Sequence, residues 1–234
     1  MDNFNVGRHI SGQFNEDLER VINQVMQMGG LVSKQLDNSI SAVSQGDEDL
    51  AKEVLSLDYQ INSLEVSIDD ECTRIIAKRQ PAAGDLRLIM AIVKTIADLE
   101  RIGDEAEKIA NVALESLSNQ HSELLLNLDN LGRHVLDLLK KTLDAFTRMD
   151  FEAGLELHSA DSKIDREYEA LMRQLMTYMM EDPRSIPQVM SVIWSARALE
   201  RIGDRCQNIC EYIIYFVKGK VVRHTSLEDM QKLK

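Results

Sequence analysis

Residues 97–104 read ADLERIGD and residues 197–204 read RALERIGD, so the motif LERIGD stands twice in the chain, 100 residues apart. Each copy carries two acids four residues apart, Glu100 with Asp104 and Glu200 with Asp204. On an α-helix that spacing sets both carboxylates on one face, one turn apart. Leu86, Val93 and Glu100 share one seven-residue ladder, and Ile186, Ile193 and Glu200 share another. The ladders predict that each acid continues an apolar stripe toward a bundle interior. A carboxylate there needs a cation, a metal or a hydrogen-bond donor to offset its desolvation.

Outward from the motif, three-four alternation of apolar residues predicts six long helices. The first runs from about Ile10 to Ser44 and breaks at Gly46-Asp47, with Asp47 as N-cap of the second. The second ends near Arg79-Gln80-Pro81, because proline disfavours helix in the residue before it. The third carries the first LERIGD. A polar, aperiodic stretch from Ser116 to Ser122 serves as connector, and three more helices follow, with a break at Glu181-Asp182-Pro183 and a stop at Gly219. Asp58 with Asp161, Pro81 with Pro183 and Glu100 with Glu200 recur in the same order at offsets of 103, 102 and 100. This is an internal duplication: an all-α chain of two tandem antiparallel three-helix bundles, residues 8–117 and 122–219, then a loose polar tail at 220–234.

Composition narrows the function. The chain of 234 residues is 44% hydrophobic and 28% charged with only 3 Pro, which suits a helical protein. A net charge of −12 leaves no basic stripe to displace counterions from nucleic acid. No apolar run approaches the roughly 20 residues of a membrane span, and the opening MDNFNVGRHISGQF lacks the features of a secretory leader. Three cysteines, Cys72, Cys206 and Cys210, fall inside helical patterns and read as reduced thiols of a cytoplasmic protein. Trp194 and the methionines read as core filler, and Gly103 and Gly203 as small residues that let helices approach.

The second helix of each unit has acids of its own. Asp58, Asn62, Glu65 and Asp69 climb one face, and Asp161 and Asp165 hold the places of Asp58 and Asn62 in the second unit. Antiparallel packing would turn them toward Glu100/Asp104 and Glu200/Asp204. Carboxylates converging without basic partners either keep a proton or bind a cation, and oxygen-only ligation suits Mg, Ca, Mn or Fe. The alternative is ordinary surface pairing, with Arg101, Arg201 and Lys108 as the nearby partners. A di-metal carboxylate oxidase would add Glu-x-x-His pairs, and the chain has none. No nucleotide-binding loop, Ser-His-Asp set or zinc-finger spacing is present.

The doubled LERIGD, the stretch RQPAAGDLRLI at 79–89 and YMMEDPR at 178–184 resemble the PhoU family of bacterial phosphate-signalling proteins. The resemblance implies two three-helix bundles with pseudo-twofold symmetry, often as a homodimer. It implies a non-enzymatic cytoplasmic negative regulator that bridges the ATPase subunit of the phosphate ABC transporter and the phosphate sensor histidine kinase. It also implies metal at E/D-x-x-x-D motifs, here Glu100, Asp104, Glu200 and Asp204 with Asp161 and Asp165 alongside, and Fe, Mn, Zn or Mg as the candidate ions. Asp58-x-x-x-Asn62 departs from that pattern through its neutral Asn62, which makes the second unit the better expected metal site. A metal-free structural bundle is the remaining alternative.

Overall fold

The computed structural model describes residues 12–114 and 122–233. The expected helix start at Ile10, the repeat bounds at 8 and 117, most of the 116–122 connector and residue 234 lie outside the described residues. Six long helices follow in order: α1 (Gly12–Gln45), α2 (Glu48–Arg79), α3 (Ala83–Leu114), α4 (Ser122–Arg148), α5 (Phe151–Glu181) and α6 (Ile186–Lys218). A 3-10 turn, Pro183–Ser185, leads into α6, and a short α7 (Leu227–Gln231) closes the chain.

The turns repeat with the helices. Gly46 has φ +66° and Asp47 caps α2, accepting from the backbone N–H of Asp49 and Leu50 at 3.0 Å each. One repeat later Met149 takes φ +47° and Asp150 caps α5 through Ala153 N–H at 3.0 Å. The second turn thus holds a methionine in the left-handed region where the first has glycine. At the end of α2, Gln80 adopts φ +46° and donates its N–H to Ile76, turning the chain ahead of Pro81. Arg79 of that turn reaches back to the buried Asp17 of α1 at 3.0 Å, where Arg20 also donates at 3.3 Å. This ties the far end of the first unit together.

Helices α1, α2 and α3 pack on one another, as do α4, α5 and α6, and the units join through α3 on α6 and α1 on α4. One apolar core, from Leu18 and Leu36 through Ile92 and Leu99 to Phe146 and Ile202, runs through both. The α1–α4 seam is close-packed at two glycines. A Cβ on Gly29 would fall 2.8 Å from Leu143 Cδ2, and one on Gly132 would fall 2.8 Å from Ile40 Cγ1. Gly132 lies 103 residues beyond Gly29, and Leu143 lies 103 beyond Ile40, so these contacts are the same contact made twice about a pseudo-twofold axis. The long α3–α6 seam runs antiparallel: Arg201 pairs with Glu105 at 3.2 Å and Arg205 with Asp98 at 3.3 Å.

Three expectations change. The buried stripe of α3 is Leu88, Ile92, Ile96, Leu99 and Ile102, while Leu86 is exposed and Val93 only half-buried. Because α3 and α6 each meet a second unit as well as their own, their apolar faces are wide, and the acid ladders lie along the flank of the stripe. Trp194 is 64% exposed and Met180 76%, so neither fills the core, although Met28 does. The tail is not loose. Val222 and Met230 are buried with Phe151, Leu155 and Ile214 in a second small core against α5 and α6. Among the described residues no helix is long and apolar enough to cross a membrane.

Candidate carboxylate sites

Each unit sets the acids of its middle helix against the LERIGD flank of its last helix. In the first, Asp58 on α2 meets Asp104 and Glu107 on α3, with one carboxylate oxygen from each lying within 4.8 Å of the other two. Asp58 Oδ2 accepts from Asn62 Nδ2 at 2.9 Å, and Oδ1 accepts from the buried Gln35 amide at 3.4 Å. Asn62 thus serves as a donor that orients Asp58. Burial, then the neighbouring charge of Asp58, raises the pKa of Asp104 and of Glu107; burial, then Asp104, raises that of Glu100.

In the first unit the cations beside the motif pair with other acids. Lys108 pairs with Glu105 at 2.9 Å, Arg201 reaches across the seam to Glu105, and Arg101 approaches Asp98 at 4.0 Å. Among the described residues, no Lys, Arg or His lies within ion-pairing distance of Asp58, Glu100, Asp104 or Glu107. The cations beside the motif are taken by acids on the opposite side of the helix.

In the second unit Asp161 on α5 faces Gly203, whose missing side chain leaves room for its Oδ1. Asp161 is 4% exposed, and burial, then Asp165 and Asp204, pushes its carboxyl up to about 7. Its Oδ1 and Glu200 Oε2 are both buried without a hydrogen-bond partner. Arg197 stands 3.8 Å from Glu200, while Asp204 and Asp165 are exposed. Burial and then neighbouring acids raise Glu200 and Asp204 as well.

The structure therefore brings Asp58 to Asp104 and Asp161 toward Glu200 and Asp204. It places Glu100 beside the first cluster rather than in it. The tightest oxygen group forms in the first unit, not the second, because Glu107 supplies the third carboxylate there. Glu107 continues the ladder 100, 104, 107 at four and three residues, so extending the motif by one turn would have found it. Its counterpart 100 residues on is Gln207, just as Asn62 in the first unit corresponds to Asp165 in the second. The two units have exchanged which helix carries the extra acid.

Converging carboxylates, with two buried oxygens left without a hydrogen-bond partner in the second unit, fit a hard, oxygen-preferring cation. Asp58, Asp104 and Glu107 would hold it in the first unit, and Asp161, Glu200 and Asp204 in the second. The cysteines take no part. All three are buried, and burial lifts the thiols of Cys72 and Cys210 to about 12, so they stay protonated.

Fold and site together define a class: a duplicated three-helix bundle whose halves meet about a pseudo-twofold axis, each with a group of carboxylates between its last two helices. The chain belongs to the PhoU family, whose domain model matches residues 25–113 and 128–213. It is 55% identical over 233 residues to the phosphate-specific transport system accessory protein PhoU of Escherichia coli, covering 100% of this chain and 97% of that one. Crystal structures agree. PhoU from Pseudomonas aeruginosa superposes with a TM-score of 0.83 at 46% identity, covering 89% of this chain and 100% of that one. The phosphate transport system regulatory protein PhoU from Streptococcus pneumoniae gives 0.84 at 30% identity, over 90% and 99%.

Proposed function

We propose that this protein is a non-catalytic cytoplasmic adaptor that restrains the phosphate-starvation response and phosphate uptake when phosphate is plentiful. Its partners in this reading are the ATPase subunit of the phosphate ABC transporter and the phosphate sensor histidine kinase, with the adaptor acting as a homodimer. The observation that carries the reading is full-length identity of 55% to a relative named as an accessory protein of phosphate-specific transport. The architecture supports it: a rigid double bundle with exposed apolar residues such as Trp194 and Tyr59 offers contact area to partners. An adaptor of this kind shifts its partners only through different affinities for their on and off states.

The same reading assigns a structural or signalling cation to the carboxylate groups, drawn from Mg, Mn, Fe or Zn. Bound there, the ion would neutralise acids that otherwise repel, stiffening α2 on α3 and α5 on α6. Deleting the gene tests the adaptor role. Phosphate-starvation genes should then stay on in high phosphate, and normal repression in the deletion strain would refute the reading.

A further inference from the structure

The α3–α6 seam ends in a cationic pocket that the duplication does not explain. Lys94 and Arg101 of α3, Arg205 of α6 and Arg223 beyond α6 line a cavity of about 190 Å³, together with only two carboxylates, Asp98 and Glu211. In a chain of net charge −12 this is a local excess of positive charge. Asp98 is buried and engaged: it accepts from Tyr212 Oη at 2.8 Å, Arg205 at 3.3 Å and Asn208 at 3.5 Å. It anchors the floor but cannot saturate the guanidinium donors around it. Glu211, at the cavity wall, stands 3.7 Å from His158.

Arg101 also approaches Asp98, at 4.0 Å, while Lys94 and Arg223 have no acid among the described residues. Lys94 Nζ lies over the rings of Tyr212 and Tyr215, 5.5 and 5.3 Å from their centroids. Arg223 forms no ion pair among the described residues. Repeat-related positions do not rebuild the pocket at the other end of the seam. There the counterparts of Lys94, Asp98, Arg205 and Tyr212 are Trp194, Ala198, Glu105 and Val112. Of the four cations only Arg101 recurs at the matching place, as Arg201. Its wall is the segment at Val221–Arg223, held by the small core under Val222 and Met230.

The geometry points to an oxyanion-binding site for free orthophosphate, held by Lys94, Arg101, Arg205 and Arg223. Convergent Arg and Lys donors match a tetrahedral oxyanion, and the Arg forks add directed hydrogen bonds. The cavity is smaller than the roughly 300 Å³ at which drug-sized ligand pockets begin, which favours a small anion over a whole nucleotide. Because Arg223 follows α6, phosphate would clamp the C-terminal segment onto the seam.

The test is isothermal titration of the full-length protein with potassium phosphate, against potassium chloride at matched ionic strength. Saturable one-site heat with phosphate is expected. Lys94→Gln and Arg223→Gln, both at exposed positions, should each weaken it about tenfold, the loss of one charge-assisted contact. Two variants on different segments, checked by their melting curves, separate loss of the site from loss of the fold. Absence of phosphate heat, equal heat from chloride, affinity unchanged in both variants, or binding of ATP without binding of orthophosphate would each overturn the assignment. The titration uses purified protein, so its result is separate from that of the gene deletion.

Discussion

Gly203 on α6 faces Asp161 on α5 so closely that a Cβ at Gly203 would stand 2.7 Å from Asp161 Oδ1 and 3.4 Å from Ile164 Cγ2. At the matching Gly103 the nearest atom is the far end of a glutamine, Gln35 Oε1, at 3.0 Å, and Asp58 is 3.6 Å away. Alanine in a helix interior gains about 1 kcal/mol over glycine, whereas overpacking a buried site costs about 1–3 kcal/mol. Gly103→Ala should therefore be neutral or stabilising by up to about 1 kcal/mol, and Gly203→Ala destabilising by about 1 kcal/mol. Urea midpoints in the opposite order would show that the carboxylate and helix spacing are not what glycine serves here.

Stability should fall as pH rises in metal-free protein. Asp161 ionises at about 7 in the fold against an ordinary value of 3.8. Between those values the native chain keeps a proton that the unfolded chain has lost. The contribution is thus whole below the unfolded value and declines as pH climbs through the folded one. Glu100, Asp104, Glu107, Glu200 and Asp204 are raised as well and add with the same sign. Melting temperature with chelator present should drop from about pH 5 to about pH 8, and Asp161→Asn should flatten the drop. A rising curve would contradict the assignment of these acids as uncompensated.

Metal content should follow the carboxylates unit by unit. Elemental analysis of protein purified without a metal-affinity tag is the measurement. Asp104→Ala/Glu107→Ala should strip the ion of the first unit, and Glu200→Ala/Asp204→Ala that of the second, each leaving the other in place. Unchanged metal in both double variants, or none in the parent protein, would remove the ion from the picture and leave the fold intact.

The tail offers a local test. Met230 is 1% exposed and anchors the small core with Val222. Met230→Ala loses about 2–5 kcal/mol of burial at that site, enough to release α7 while the main core stays folded. Limited proteolysis should then cut within residues 220–233 much faster than in the parent chain, with little change in the main melting transition. Equal cleavage rates would mean that the tail is held by something else.

The sequence by itself determined the six long helices, the turns between them and the duplication, because these depend on local chemistry. Three-four apolar spacing, the Gly46-Asp47 cap and the break at Gln80-Pro81 act within one or two turns of chain, and a repeated motif needs no partner to be recognised. It also placed Asp58, Asp104, Asp161, Glu200 and Asp204 on faces that do converge. Only the tertiary structure decided which side of α3 and α6 is core, since each packs against two units and its apolar face is wider than one ladder. Contacts from distant segments decided the rest. Lys108, Arg101 and Arg201 could have neutralised the motif acids by sequence distance; instead Lys108 and Arg101 take Glu105 and Asp98 one turn away on α3, and Arg201 finds Glu105 across the seam. Glu107 joins Asp58 only because α2 lies against α3 at that height, and Arg223 meets Lys94 only because Val222 and Met230 fold the tail back. Electrostatic partners are set by through-space distance, and side chains more than 100 residues apart acquire one only when the helices dock.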